Sequence, residues 1–366
     1  MLERRVINVG VIGLGKMGLS HLAIANALPE FRVIAVCDSM PLVGNALSKA
    51  TGLNHYSSID ETLNLADLQA VIIATPTASH AEIIRKAIGK NLHVFCEKPL
   101  TLHSSDSHEL SQQAAQKNLI TQVGYHNRFV AAFGELRQLI RSGAVGRVTQ
   151  VLAEAYGPVV TRPAKMSWRG NSREGGGALF DYAAHPLNLL NWFFGEPQSC
   201  GDASLRSIYS RQVDDQVTAQ LRYKGMDTQL SVNWSDSSQR KMTTQITVWG
   251  EHGRLYADRQ EVRAFLTEEA NIPPGYKTGW TVRYTTELTE PVKYYLRGEE
   301  YSAQLEHFAR RIEDPSTDAV NTFAESAETD ETIRMIREAA LGASVSSPKV
   351  SSRCEASFLS KLFQRS

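Results

Sequence analysis

The chain has 366 residues, 42% of them hydrophobic, with 39 Lys and Arg against 39 Asp and Glu. That length exceeds what a single core usually serves, so two domains are expected, and the balanced charge argues against bulk binding of nucleic acid or a membrane surface. No apolar stretch approaches the roughly 20 residues of a membrane span, and Cys37, Cys96, Cys200 and Cys354 lack metal-ligand spacing, so a reduced, cytoplasmic protein without a metal centre is expected.

Arg4-Arg5 before an apolar run imitates a secretion signal, but the run is short and Lys16 breaks it. The β-branched run from Arg5 to Ile12 leads instead into Gly13-Leu14-Gly15-Lys16-Met17-Gly18, followed by an apolar-periodic segment closed by Pro29. Strand, glycine turn and helix form the context in which the first glycine makes a tight turn and the second admits a pyrophosphate. The third then packs helix on strand. Free N–H groups at the helix start favour the anion. The next β-type run, Phe31 to Cys37, ends in Asp38, placed to take an adenosine ribose hydroxyl and to repel a 2′-phosphate. Ser39-Met40-Pro41 supplies no arginine, so NAD is expected rather than NADP.

Ala70 to Ala74, Leu92 to Cys96 and Ile120 to Gly124 read as further strands, and Ser79 with Glu82 as a capped helix start. Repeated βα units predict a doubly wound, mostly parallel sheet over residues 1–127, with ligands at the carboxyl ends of its strands. Thr75-Pro76-Thr77 and Glu97-Lys98-Pro99 lie at such ends.

From about Gly146 the period becomes two: Val217, Ala219, Leu221 and Tyr223, then Leu230, Val232 and Trp234, then Met242, Thr244, Ile246 and Val248 alternate with polar neighbours. This predicts an α+β domain over 128–346 with a large, mainly antiparallel sheet, and a tail over 347–366. Helices around Ala303 to Ile312 and Ala324 to Ala343 are expected to cover one sheet face, leaving the other as an oligomer surface.

Inside this domain, Gly175-Gly176-Gly177 precedes Asp181 and His185, a carboxylate and an imidazole four residues apart at an expected helix start. On a helix the two share a face, and the glycines would let the backbone pass close to a ligand. Equally, Asp181 could cap the helix and His185 be an ordinary half-buried histidine. Pro186 suits only a first turn, which puts the helix start at or just before Asp181. Arg162 to Arg173 is a basic loop; it suits a phosphate- or carboxylate-bearing substrate, or simply a solvated surface.

Taken in order, the glycine turn, Thr75-Pro76-Thr77 with His80, Glu97-Lys98-Pro99, Gly124-Tyr125-His126-Asn127-Arg128-Phe129 and the glycine run with Asp181 and His185 resemble the Gfo/Idh/MocA oxidoreductases over roughly residues 5–345. The resemblance implies a Rossmann domain followed by an open sheet domain, with nicotinamide and substrate meeting between them. It implies Lys98, Asp181 and His185 as catalytic residues. At the cofactor it places Gly13, Gly15, Lys16, Met17, Gly18, Asp38, Ser39, Thr75, Pro76, Thr77, His80, Glu97, Lys98, Trp168 and Arg169. At the substrate it places Lys98, Tyr125, Asn127, Arg128, Asp181 and His185. The implied substrates are sugars, inositol-type polyols and nucleotide sugars, and the implied assembly is a homodimer or homotetramer.

Oxidising an alcohol sends a hydride to the nicotinamide and a proton to a base within hydrogen-bond reach of the hydroxyl. An ordinary imidazole pKa of about 6.5 suits His185 to that task. Lys98 would stabilise charge on the oxygen and hold the nicotinamide, while Asp181 would fix the imidazole or grip a neighbouring hydroxyl. A desolvated Lys98 is the alternative base. Two other functions share the fold: a regulator that senses NAD(P) or a sugar, which tends to lose these residues, and an NAD-dependent glycosidase with transient redox, which keeps them.

Overall fold

A computed structural model describes residues 6–161 and 168–346. Arg4 and Arg5, the stretch Arg162 to Ser167 of the basic loop, Cys354 and the tail 347–366 lie outside the described residues.

The first six strands, β1 (Ile7–Ile12), β2 (Phe31–Cys37), β3 (Asn54–Tyr56), β4 (Ala70–Ile73), β5 (His93–Cys96) and β6 (Thr121–Val123), form one parallel sheet in the order β3-β2-β1-β4-β5-β6. Val9, Val11, Val71 and Ile72 on its central strands are completely buried, as a sheet covered on both faces requires. The covering helices are α1 (Lys16–Ala27), α2 (Pro41–Thr51), α3 (Ile59–Leu63), α4 (His80–Gly89) and α5 (Ser104–Gln116). Strand order reverses between β1 and β4, which opens a crevice at their carboxyl ends.

After α6 (Ala131–Arg141) comes an eight-stranded sheet of β7 (Val148–Tyr156), β8 (Ser199–Arg206), β9 (Gln216–Tyr223), β10 (Met226–Asn233), β11 (Thr243–Gly250), β12 (Gly253–Ala257), β13 (Glu261–Leu266) and β14 (Gly279–Tyr284). Its order is β14-β13-β12-β11-β7-β10-β9-β8, and only β7 with β10 runs parallel. Alternation is kept: on β9 Val217, Ala219, Leu221 and Tyr223 are buried, while Thr218 and Arg222 are exposed. The apolar face packs beneath α7 (Ala184–Phe194), with α6 over β12 and β13. The opposite face presents Phe265, Trp280, Val282 and Tyr284 to solvent. A short α8 (Thr285–Leu288) follows β14.

The last helices depart from expectation. Along α9 (Glu299–Glu313), Leu305, Phe308 and Ala309 join the cluster of Ile7, Val9, Leu22 and Phe31 under the first sheet, not the second. The Phe308 ring meets Phe95 edge-on, centroids 5.9 Å apart. An apolar stripe at helical spacing shows that a helix is half-buried but not which sheet buries it. Helix α10 (Phe323–Ser346) is shared, packing on α5 of the first domain and on β8 and α7 of the second. No helix among the described residues is long and apolar enough to cross a membrane.

On α10 the buried Asp330 accepts hydrogen bonds from the Thr101 backbone N–H at 3.1 Å and the Ser107 hydroxyl at 2.7 Å. Burial pushes its carboxyl up to about 7. The folded state therefore holds a proton that the unfolded chain releases near pH 4, and this group lowers stability as pH rises from about 4 to about 7. Asp330→Asn keeps an acceptor and removes the titration. Its melting temperature relative to wild type should climb across that pH range; parallel curves for the two proteins would contradict the assignment.

Candidate active site

The glycine turn between β1 and α1 is built by close approach. Gly13 has φ 92°, and a Cβ there would sit 2.7 Å from the Ala74 carbonyl oxygen. A Cβ on Gly18 would collide with the Gly13 carbonyl, whereas one on Gly15 would meet nothing within 4 Å. Two glycines thus pull β1, α1 and β4 together and the third leaves open space. No side chain caps the start of α1, so its first N–H groups remain available to an anion. At the end of β2 the Asp38 carboxylate accepts the Leu14 N–H at 2.6 Å and the Met40 N–H at 2.8 Å, which fixes it beside the glycine turn. Gly13, Gly15, Lys16, Met17, Asp38, Ser39, Thr75, Pro76 and Thr77 all line one cleft of about 1070 Å³. An open, anion-accepting turn next to a fixed carboxylate fits a dinucleotide.

The same cleft continues to Glu97, Lys98, Trp168, Arg169, Asp181 and His185. Lys98 follows β5. Its Nζ donates to Asp181 Oδ1 at 2.9 Å and to the Asp181 carbonyl at 2.7 Å, and Arg169 Nε donates to Asp181 Oδ2 at 2.7 Å. The Asp181 side chain is only 4% exposed and that of Lys98 11%. Burial pushes the Asp181 carboxyl up, but Lys98 and Arg169 outweigh it and hold the group below the usual carboxylate range. Asp181 lies in a wide π-helical turn, Leu179–Ala183, and α7 proper begins only at Ala184. Pro186 therefore falls inside a continuous helical run, and the Asp181 carbonyl, five residues before it, accepts the Lys98 ammonium.

His185 departs from its expected role in two ways. Asp181 is occupied by the two cations and does not orient the imidazole, whose Nδ1 is buried without a hydrogen-bond partner. The ring is held by packing instead: His126 stacks on it at 4.9 Å between centroids, tilted 30°, and Tyr125 meets it edge-on at 6.3 Å. Nor is its pKa ordinary. Burial, then the charges of Lys98 and His126, push the His185 pKa well below the imidazole range, and burial drives that of His126 down to about 3. Both rings are neutral at pH 7. Glu97 backs this wall, with Oε1 2.7 Å from His21 Nε2 and Oε2 accepting the Lys98 backbone N–H at 3.2 Å.

Other expectations are corrected. His80 does not line the cleft: its Nδ1 lies 3.0 Å from the Pro99 carbonyl and its Nε2 3.0 Å from the Thr75 carbonyl, so it clamps two strand-end loops together. Tyr125, Asn127 and Arg128 are likewise turned away from the cleft. The Arg128 guanidinium is buried against Asn188 at 2.8 Å and Glu325 at 2.6 Å, and the Asn127 amide donates to Thr244 at 3.3 Å. Their neighbour His126 faces the site instead. His126 opens the 3₁₀ helix His126–Phe129, in which three residues complete one turn, so Asn127 and Arg128 project to other sides than His126 does. The glycine run admits protein rather than ligand. A Cβ on Gly176 would strike the Arg169 carbonyl, and one on Gly177 would lie 2.5 Å from the Asp214 carboxylate. Lys241, Arg259, Arg297 and Tyr301 also line the cleft and carry no motif in the sequence.

Fold and cleft together define a protein that binds a dinucleotide at a Rossmann domain. Residues 7–125 match the model of the oxidoreductase family with NAD-binding Rossmann fold, and residues 133–256 match its C-terminal domain; the chain belongs to the Gfo/Idh/MocA family. It is 23% identical to an inositol 2-dehydrogenase of Rhizobium meliloti over 82% of this chain and 90% of that protein. With the rhizopine catabolism protein MocA of the same species the identity is 27% over 56% of this chain and 63% of that protein. A levoglucosan dehydrogenase solved with NADH superposes with a TM-score of 0.81 at 22% identity, covering 92% of this chain and 98% of that one, a likeness of fold.

Asp181→Ala would strand two cations that now share one buried carboxylate. Breaking a buried pair typically costs on the order of 3 kcal/mol, so urea unfolding should show a loss of that size; a loss below about 1 kcal/mol would mean the pairing contributes little.

Proposed function

We propose that the protein is an NAD-dependent dehydrogenase acting on a hydroxyl of a sugar, an inositol-type polyol or a nucleotide sugar, working as a cytoplasmic homodimer or homotetramer. The observation that carries the reading is that Lys98 and His185 share one cleft with the glycine turn and Asp38. The aromatic, solvent-facing side of the second sheet supports self-association.

In this reading the backbone from Gly13 to Gly18 holds the diphosphate and Asp38 takes the adenosine ribose hydroxyls. A nicotinamide held there would supply the acceptor for the hydride of the carbinol carbon. Lys98 Nζ, held in place by Asp181, donates to the reacting oxygen and stabilises the charge that develops there. The Nε2 atom of His185, neutral because burial keeps its pKa low, takes the hydroxyl proton. The stacked His126 keeps that ring in place without adding charge.

Incubation with NAD and a sugar and polyol panel should accumulate NADH; cleavage of a glycoside without NADH would point to the glycosidase instead. Lys98→Met and His185→Ala should each lower kcat by about 10²-fold or more while NAD affinity changes little. Unchanged turnover in either variant removes that residue from the chemistry. Asp38→Ala should weaken NAD binding and narrow its preference over NADP, as a cofactor titration would record. Because the His185 pKa is depressed, the acid limb of kcat/KM should fall below pH 6.5. A limb at or above that value would mean that the imidazole charges like a solvated one.

A further inference from the structure

The wall given by the second domain carries charge that alcohol oxidation does not use. Lys241 precedes β11, Arg259 sits in the turn between β12 and β13, and Arg297 stands just ahead of α9. The antiparallel pairing of β11 with β12 puts the first two at the same end of the sheet. Among the described residues that line the cleft, six cationic side chains, Lys16, Lys98, Arg169, Lys241, Arg259 and Arg297, meet three carboxylates, Asp38, Glu97 and Asp181. Oxidised NAD carries two phosphate charges against one on its ring, and so does not cancel that excess.

Local pairing places the excess. Asp181 is shared by Lys98 and Arg169. Arg259 is held by Glu300 behind the wall, and also donates to the Arg297 carbonyl at 3.2 Å. Arg297 is different. Its guanidinium lies 5.2 Å over the Tyr301 ring and hydrogen-bonds the Tyr301 side chain, its Nε is buried without a hydrogen-bond partner, and its backbone has φ 68°, a left-handed conformation that a side chain disfavours. Tyr301 in turn meets His126 edge-on at 4.8 Å, and His126 stacks on His185. Two rings, Tyr301 and His126, thus stand between the guanidinium and the imidazole at the reacting centre. Among the charges acting on His126, Arg259, Lys98 and Arg297 all push its pKa down, after burial and against Glu97, so these cations converge on one region.

We infer that the substrate carries an anionic group, a carboxylate or a phosphate, which Arg297 binds with Arg259 and Lys241 while the reacting hydroxyl lies at Lys98. The inference rests on the dehydrogenase reading and narrows it. A guanidinium offers paired donors that match both oxyanions, and Lys241 adds a point charge at the open side.

Initial rates with NAD should be compared for D-glucose against D-glucuronate, a glucose phosphate and UDP-glucose, and for myo-inositol against its phosphate. At least one anionic member should exceed its neutral parent by about 10-fold or more in kcat/KM, the worth of one charge-assisted hydrogen bond, and that advantage should shrink with added KCl. Arg297→Gln should raise KM for that substrate by about 10-fold while kcat moves far less. The carboxylate and phosphate arms identify which oxyanion is read. Neutral substrates turned over as well as their anionic partners would overturn the subsite and leave the dehydrogenase intact.

NADH formation from none of them would instead sink the dehydrogenase reading. The subsite is then judged by calorimetry of the NADH-loaded protein with D-glucuronate and inorganic phosphate. Binding that Arg297→Gln abolishes upholds it; no binding in the wild type ends it.

Discussion

Everything at the active site turns on one buried carboxylate shared by two cations. Asp181 comes from the π-helical turn before α7, Arg169 from the loop ahead of it, and Lys98 from the first domain, after β5. A carboxylate withdrawn from water costs several kcal/mol unless it is paired and hydrogen-bonded. Here the pairing is complete only when the two domains lie against each other. Domain docking and assembly of the cleft are therefore the same event, and the ammonium of Lys98 arrives already aimed, with little reorganisation left for the moment of reaction.

Around that ion pair the site separates charge from neutrality. Amid the lysine and arginine side chains of the cleft, the stacked imidazoles of His126 and His185 are held neutral by burial. Uncharged rings can lie against each other in a field of cations where two imidazolium ions would repel. The same burial leaves His185 unprotonated at physiological pH, with a free lone pair, but it also weakens the ring as a base, so any proton it takes is held against the packing around it.

Some of this was legible in the amino-acid order because backbone geometry demanded it. Gly13 at φ 92° and Gly18 under the Gly13 carbonyl accept no other residue, and Asp38 must end β2 to reach the turn. Lys98 was legible at a strand end, and the alternation on β9 to β11 fixed the second sheet. What stayed hidden depended on direction rather than identity. Within Gly124 to Phe129, a 3₁₀ turn decides that His126 faces the cleft and Arg128 the interior, and no periodicity of four residues reveals that. The glycines before Asp181 suggested room for a ligand, yet the space is filled by the Arg169 carbonyl and the Asp214 carboxylate. Arg259 and Arg297 lie far from any motif and reach the cleft only because of how the sheet ends and α9 are arranged.

The path of α9 bears on how this chain can be divided. After building the eight-stranded sheet, the polypeptide goes back to place Leu305 and Phe308 under the first one. In topological terms the second domain is an insertion, not an appendage. A single cut near residue 127 would strip the Rossmann half of part of its own floor, so any recombination that exchanges substrate domains between relatives has to respect two junctions rather than one.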